Sequence, residues 1–160
     1  MKLRKLTELS LLTAVALMIF IVELRIPNLS PIEGIKLGLS NIVTVYAVFH
    51  YRASETAMLL LCRIILGAIF SSNLMALGYS LAGGMFCLAG MLCIKKYIPE
   101  HMIWLCSILG AVFHNLGQLT AAVLFMQTFA VISYLPFLMI SGCIAGLFTG
   151  LCAQGVLKRL

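Results

Sequence analysis

Residues 25–44 read RIPNLSPIEGIKLGLSNIVT, the one extended stretch of the chain that is neither apolar nor a simple turn. Two prolines (Pro27, Pro31), two glycines (Gly34, Gly38) and the charges Arg25, Glu33 and Lys36 separate two hydrophobic runs here. Proline lacks an N–H and restricts the residue before it, so Ile26-Pro27 and Ser30-Pro31 cannot continue a helix. Gly34 and Gly38 permit unusual backbone angles where the next run begins. The stretch reads as an external gate over a pocket, with Pro27, Asn28, Glu33 and Gly34 in the gate and the other segments as walls.

Working outward, nearly everything else is apolar. The chain has 160 residues, 62% of them hydrophobic and 10% charged, and a mean hydropathy of +1.12. A soluble domain of this size leaves much of its surface in water and cannot hide that much apolar area. Lipid is the expected solvent, which makes this an integral membrane protein and, at this length, a single domain.

A helical span needs about 20 apolar residues to cross roughly 30 Å of hydrocarbon. Six such segments are expected, near residues 6–24, 37–50, 54–71, 75–94, 102–127 and 133–157. All must be helical, because a lipid-exposed backbone has to satisfy its own hydrogen bonds. The alternating segments of a membrane barrel are missing from the sequence. The basic start Met-Lys-Leu-Arg-Lys resembles the head of a signal peptide, but no small-residue cleavage site follows, so the first run is expected to be a retained span.

Positive charge sets the expected orientation. Lys2, Arg4, Lys5, Arg52, Lys95, Lys96, Lys158 and Arg159 all fall on one side of a six-span topology. Arg25 and Lys36 fall on the other, and Arg63 lies within a span. The positive-inside rule then puts both termini in the cytoplasm. The net charge of +6 is thereby mostly topology and gives no support for nucleic-acid binding.

Against this background the polar residues inside spans carry the information. Ser40, Asn41 and Thr44 share one helix face at the start of span two. Arg63 stands in mid-span, where an arginine costs at least about 2.5 kcal/mol. It pairs with Glu23 or Glu33, faces a ligand, or snorkels to the surface. His114 and Gln118 stack on one face of span five with Asn115 beside them. These three polar groups line a cavity or bond neighbouring helices for about 0.6 kcal/mol each. Glu23 and Arg25 close span one at its outer end, where a charge can reach water. Gly142, Gly146 and Gly150 form a ridge for close helix packing. The six cysteines all lie in spans without a C-x-x-C pair and read as buried, inert thiols rather than metal ligands or a disulfide framework.

The absences narrow the chemistry. The chain contains no aspartate, so the carboxylate clusters that hold magnesium on diphosphates are not available. It has no phosphate-binding G-x-x-x-x-G-K-[ST] loop and no G-x-S-x-G or H-E-x-x-H motif. No catalytic residue, metal site or cofactor is expected, and energy for any transport would come from a partner.

The runs Glu33-Gly34-Ile35-Lys36-Leu37-Gly38-Leu39-Ser40-Asn41, Cys62-Arg63-Ile64-Ile65-Leu66-Gly67, Ser80-Leu81-Ala82-Gly83-Gly84, His114-Asn115-Leu116-Gly117-Gln118 and Tyr134-Leu135-Pro136 resemble the Gx transporter family, also labelled heptaprenyl diphosphate synthase component I. That family is similar to the substrate-binding S components of energy-coupling factor (ECF) transporters. The resemblance implies an all-α bundle of six spans in a bacterial plasma membrane, with a pocket near the outer leaflet closed by residues 26–36. It also implies a transmembrane coupling subunit and two ATPase subunits that use ATP, with Ser10, Ala14 and Ala16 of span one on the docking face.

Two functions are expected from different classes. One is a transport subunit that binds a small, anionic or partly anionic solute through Lys36, Asn41, Arg63, His114, Asn115 and Gln118. The other is a non-catalytic membrane subunit of a prenyl-lipid, quinone or electron-transfer assembly.

Overall fold

A computed structural model describes residues 3–25 and 38–159, and the side chain of Glu100 is not among those described. Lys36 and the gate residues Pro27, Asn28, Glu33 and Gly34 lie outside the described residues. The described chain forms six helices and no strand: α1 (Leu3–Glu23), α2 (Asn41–His50), α3 (Ala53–Ser71), α4 (Leu74–Lys95), α5 (Ile103–Met126) and α6 (Leu135–Leu157). Short 3₁₀ turns precede α5 and α6.

Five of these helices are long and apolar enough to cross a membrane; α2 is not. At 1.5 Å per residue its ten residues reach only about 15 Å, half of a hydrocarbon core. Span two was expected from residue 37, but the helix starts at Asn41 after a turn at Leu39 and Ser40. The turn is set by Gly38, whose φ of +79° is a left-handed conformation that side chains with a Cβ rarely adopt.

The outer surface is that of a protein solvated by lipid. Leu11, Val15, Met18 and Val22 form an exposed apolar stripe on α1, and Ile140, Ile144, Phe148 and Leu151 do so on α6. Their spacings of three and four residues put each set on one helix face.

Inside, α4, α5 and α6 pack side by side with α5 in the middle, α1 lies against α3, and α2 is wedged among α1, α3, α4 and α6. The glycine ridge of α6 explains one of these contacts. A Cβ on Gly146 would stand 2.8 Å from Ile108 Cα, and one on Gly150 would stand 2.6 Å from Trp104 Cα. Backbone thus meets backbone between α5 and α6, as the spacing predicts.

Two details differ from the expectation. Cys62, Cys93 and Cys143 lie on the exposed surface rather than in the core, a position a small, weakly polar thiol tolerates against lipid. On α1, Ser10 and Ala14 are exposed while Ala16 is fully buried, because a two-residue step turns it to another face.

Apart from Arg25 and the buried Arg63, the described basic residues flank helix ends on one side of the bundle. Lys5 Nζ lies 2.8 Å from Glu55 Oε1, and Lys95 Nζ donates to the Val48 carbonyl at 2.5 Å. Lys158 shares a surface pocket with His50 at the same end.

Candidate functional site

The polar residues singled out in the sequence sit at one level of the bundle. Asn41 begins the half-length α2, Arg63 is near the middle of α3, and His114 is near the middle of α5. All three are at least nine-tenths buried, as are Ser40, Thr44, Asn115 and Gln118.

Arg63 donates a guanidinium N–H to Ser40 Oγ, the residue in the turn ahead of α2. Its expected carboxylate partner is only partly right. Glu23 acts on Arg63 electrostatically, yet among the described residues no ion pair within 4 Å joins them. Glu23 itself is 5% exposed, a correction to its expected contact with water. Its Oε1 accepts the backbone N–H of Gly38 at 2.6 Å, so the end of α1 holds the turn that launches α2.

His114 and Gln118 face α4 through a gap left by a missing side chain. A Cβ on Gly83 would stand 2.8 Å from Gln118 Cγ and 2.9 Å from His114 Nδ1. On its other side His114 approaches the α2 turn, where a Cβ on Gly38 would stand 2.8 Å from Asn41 Nδ2 and 3.4 Å from His114 Cδ2. Gly38, Asn41, His114, Gly83 and Gln118 thus form one contiguous set, and Arg63 acts on His114 across it. Asn115 is turned away: its Nδ2 donates to the Leu138 carbonyl of α6 at 2.5 Å.

Several polar atoms in and beside this set have no hydrogen bond among the described residues: Glu23 Oε2, Asn41 Oδ1, Thr44 Oγ1, Arg63 Nε and Gln118 Oε1, while the His114 ring lies against the Gly83 backbone. Buried polar atoms are ordinarily paired, so such a concentration marks a place where a further partner is accommodated. Beside Asn41 a cavity of about 10 Å³ is lined also by Ser107, Thr149 and Gly146, enough for one water. Ser107 and Thr149 hydrogen-bond each other there at 3.0 Å, a pair with no legible spacing signal because its members lie on different helices. Glu23 stands out in the sequence as a charge at the end of a span, but its burial depends on contacts such as that with Gly38, 15 positions along the chain.

Among the described residues, no group of three or more His, Cys, Asp or Glu could hold a metal ion. The fold and site define a multi-pass helical membrane protein with an ionic and amide cluster in its interior. The chain belongs to the heptaprenyl diphosphate synthase component I family, which matches residues 12–156, and this is the family that its motifs resemble. No curated protein matches the chain, and no solved structure does.

Proposed function

We propose that the protein is the solute-binding membrane subunit of an energy-coupled uptake transporter, similar to an ECF S component, for a small anionic or partly anionic solute. The observation that supports this reading most is the set of unpaired buried polar atoms on Asn41, Arg63 and Gln118, contributed by separate helices. Arg63 meets the negative charge of the solute, while Asn41, His114 and Gln118 bind its polar groups. A few polar anchors among apolar walls is the usual make-up of a small-molecule site. Asn115 holds α6 against α5 behind them, Lys36 meets the charge of the solute together with Arg63, and the gate residues Pro27, Asn28, Glu33 and Gly34 close the site.

With no nucleotide-binding loop in its sequence, the subunit works with a transmembrane coupling subunit and two ATPase subunits in a bacterial plasma membrane. Both termini are cytoplasmic in this reading. It is a binding protein, not a catalyst.

The test uses full-length protein purified in mild detergent. Solutes released on denaturation are identified by mass spectrometry, and small carboxylates and phosphorylated solutes are screened for thermal stabilisation. Arg63→Ala is expected to abolish the stabilisation while the protein still inserts in the membrane. Unchanged affinity would remove Arg63 from the site.

The family label supports a second reading, a non-catalytic membrane subunit of a prenyl-lipid assembly. Co-purification of a prenyl lipid or redox partner in place of a water-soluble solute would favour it.

A further inference from the structure

A second site lies away from the buried cluster, along the seam between α1 and α2. Lys5, Glu8, Leu12, Val15 and Ile19 follow one another on α1 at steps of three and four residues, which is a single helix face. The last three line an apolar groove of about 300 Å³ with Ile42, Val43 and Tyr46 of α2 and Ala153 and Val156 of α6. Lys5 and Glu8 line an open polar pocket of about 580 Å³ with Arg4, His50, Tyr51, Arg52 and Glu55. On both walls one helical turn joins the two: Leu12 follows Glu8 on α1, and the Tyr46 ring stacks on His50 at 5.3 Å on α2. The groove and the polar pocket thus lie end to end along the seam, one helical turn apart, the first apolar and the second an ionic mouth.

The charges at this mouth are unequal. Arg4 pairs with Glu8 at 3.2 Å and Lys5 with Glu55 at 2.8 Å, while Arg52 has no ion pair among the described residues. One cation is left over: the Arg52 backbone N–H donates to Glu55 Oε2 at 3.0 Å, but the guanidinium has no described carboxylate within 4 Å. Of the two pairs, Arg4–Glu8 is the more exposed to solvent. Tyr51 and His50 supply amphipathic rings at the same level, as interfacial belts do.

The groove is short and open along one side. From Leu12 to Ile19 it runs about 10 Å at helical rise, and its lining is almost wholly apolar. An apolar run that ends at a mouth with one surplus cation matches the two parts of an anionic lipid, a hydrocarbon chain and a charged head group.

We propose that the seam binds one anionic phospholipid, with the phosphate in the mouth formed by Arg4, Lys5 and Arg52 and an acyl chain along Leu12, Val15 and Ile19. Basic pockets between membrane helices recognise anionic head groups by the same physics. The site is independent of the solute reading above.

Native mass spectrometry of the full-length protein, titrated with phosphatidylglycerol and with phosphatidylcholine of identical chains, tests the proposal. Phosphatidylglycerol is expected to bind more tightly. Arg52→Gln weakens it roughly fivefold, the weight of one basic side chain at an anionic surface, and Arg52→Glu weakens it further. Val156→Trp, at a half-exposed position, fills the groove and weakens both lipids. Unaltered circular dichroism shows that each variant is folded. Equal binding of the two lipids with no effect of Arg52→Gln overturns the proposal, as does displacement by inorganic phosphate, which would mark a simple anion site. Loss of a membrane-protein partner from Val156→Trp with lipid binding intact also overturns it.

Discussion

Glu23, the last residue of α1, accepts the backbone N–H of Gly38 at 2.6 Å, and thereby ties one span to the turn that starts the next helix. The bond is buried, and the same carboxylate faces Arg63 electrostatically. Removing it leaves a buried donor without its acceptor, which costs about 1–3 kcal/mol. Glu23→Ala is therefore expected to lower the thermal midpoint of the solubilised protein clearly, with Glu23→Gln intermediate because its amide oxygen still accepts the bond. A Glu23→Ala protein that melts like the parent would refute this role.

The long-range part of the same relationship is separable. In a cycle of Glu23→Gln, Arg63→Gln and the double variant, the two losses should not add, and the coupling should fall in the range of about 0.5–3 kcal/mol seen for interacting neighbours. Strict additivity would mean that the two charges do not sense each other.

Helix contact through glycine gives a sharper contrast. A Cβ on Gly117 would stand 2.6 Å from the Ala82 carbonyl oxygen, and backbone there cannot step aside. Gly117→Ala should destabilise by about 1–3 kcal/mol, the usual cost of overpacking. Gly155 has nothing within 4 Å of its Cβ position, so Gly155→Ala should be neutral or stabilise by up to about 1 kcal/mol through helix propensity. Thermal melting of the two variants side by side checks the pair, and equal effects would contradict the packing described for α4 and α5.

Asn115 and Gln118 should separate stability from binding. Asn115 bonds α6, so Asn115→Ala is expected to cost about 0.6 kcal/mol of stability and little affinity for the solute. Gln118 keeps an unpaired buried oxygen, so Gln118→Ala should reduce affinity with little change in melting. The opposite pattern would transfer the binding role to Asn115.

At the basic end, the Tyr51 hydroxyl donates to Glu8 Oε2 at 3.3 Å, and its pKa is pushed up to about 12, first by burial and then by the Glu8 carboxylate. Unfolded chains ionise tyrosine near 10, so the unfolded state loses its proton first. Stability from this group is whole below about pH 10 and is lost as pH rises toward about 12. Tyr51→Phe should flatten that alkaline decline in a melting series. An unchanged slope would exclude Tyr51 as its source.

Much of this was readable in the residues. The apolar runs from Leu6, Ser54, Met75, Met102 and Ser133 mark five spans to within a few residues, because lipid allows no other way to satisfy that much backbone. The glycines at 142, 146 and 150 announce close packing, since a missing side chain at every fourth position has one evident geometric use. Arg63 and the His114–Gln118 run stand out by cost alone. Their neighbours are not readable: that Gly83 makes room for His114, or that Asn115 turns toward α6, depends on the rotation of α5 between two other helices.

The sequence by itself determined the solvent, the helices and which side chains are too polar to meet lipid, because these follow from composition and transfer cost position by position. Only the tertiary structure decided that α2 is a half-length helix launched from Gly38, that Glu23 is buried beside it, and that an apolar groove and a basic mouth lie end to end along the α1–α2 seam. Those outcomes depend on contacts between residues far apart in the chain, and local preference carries no information about them.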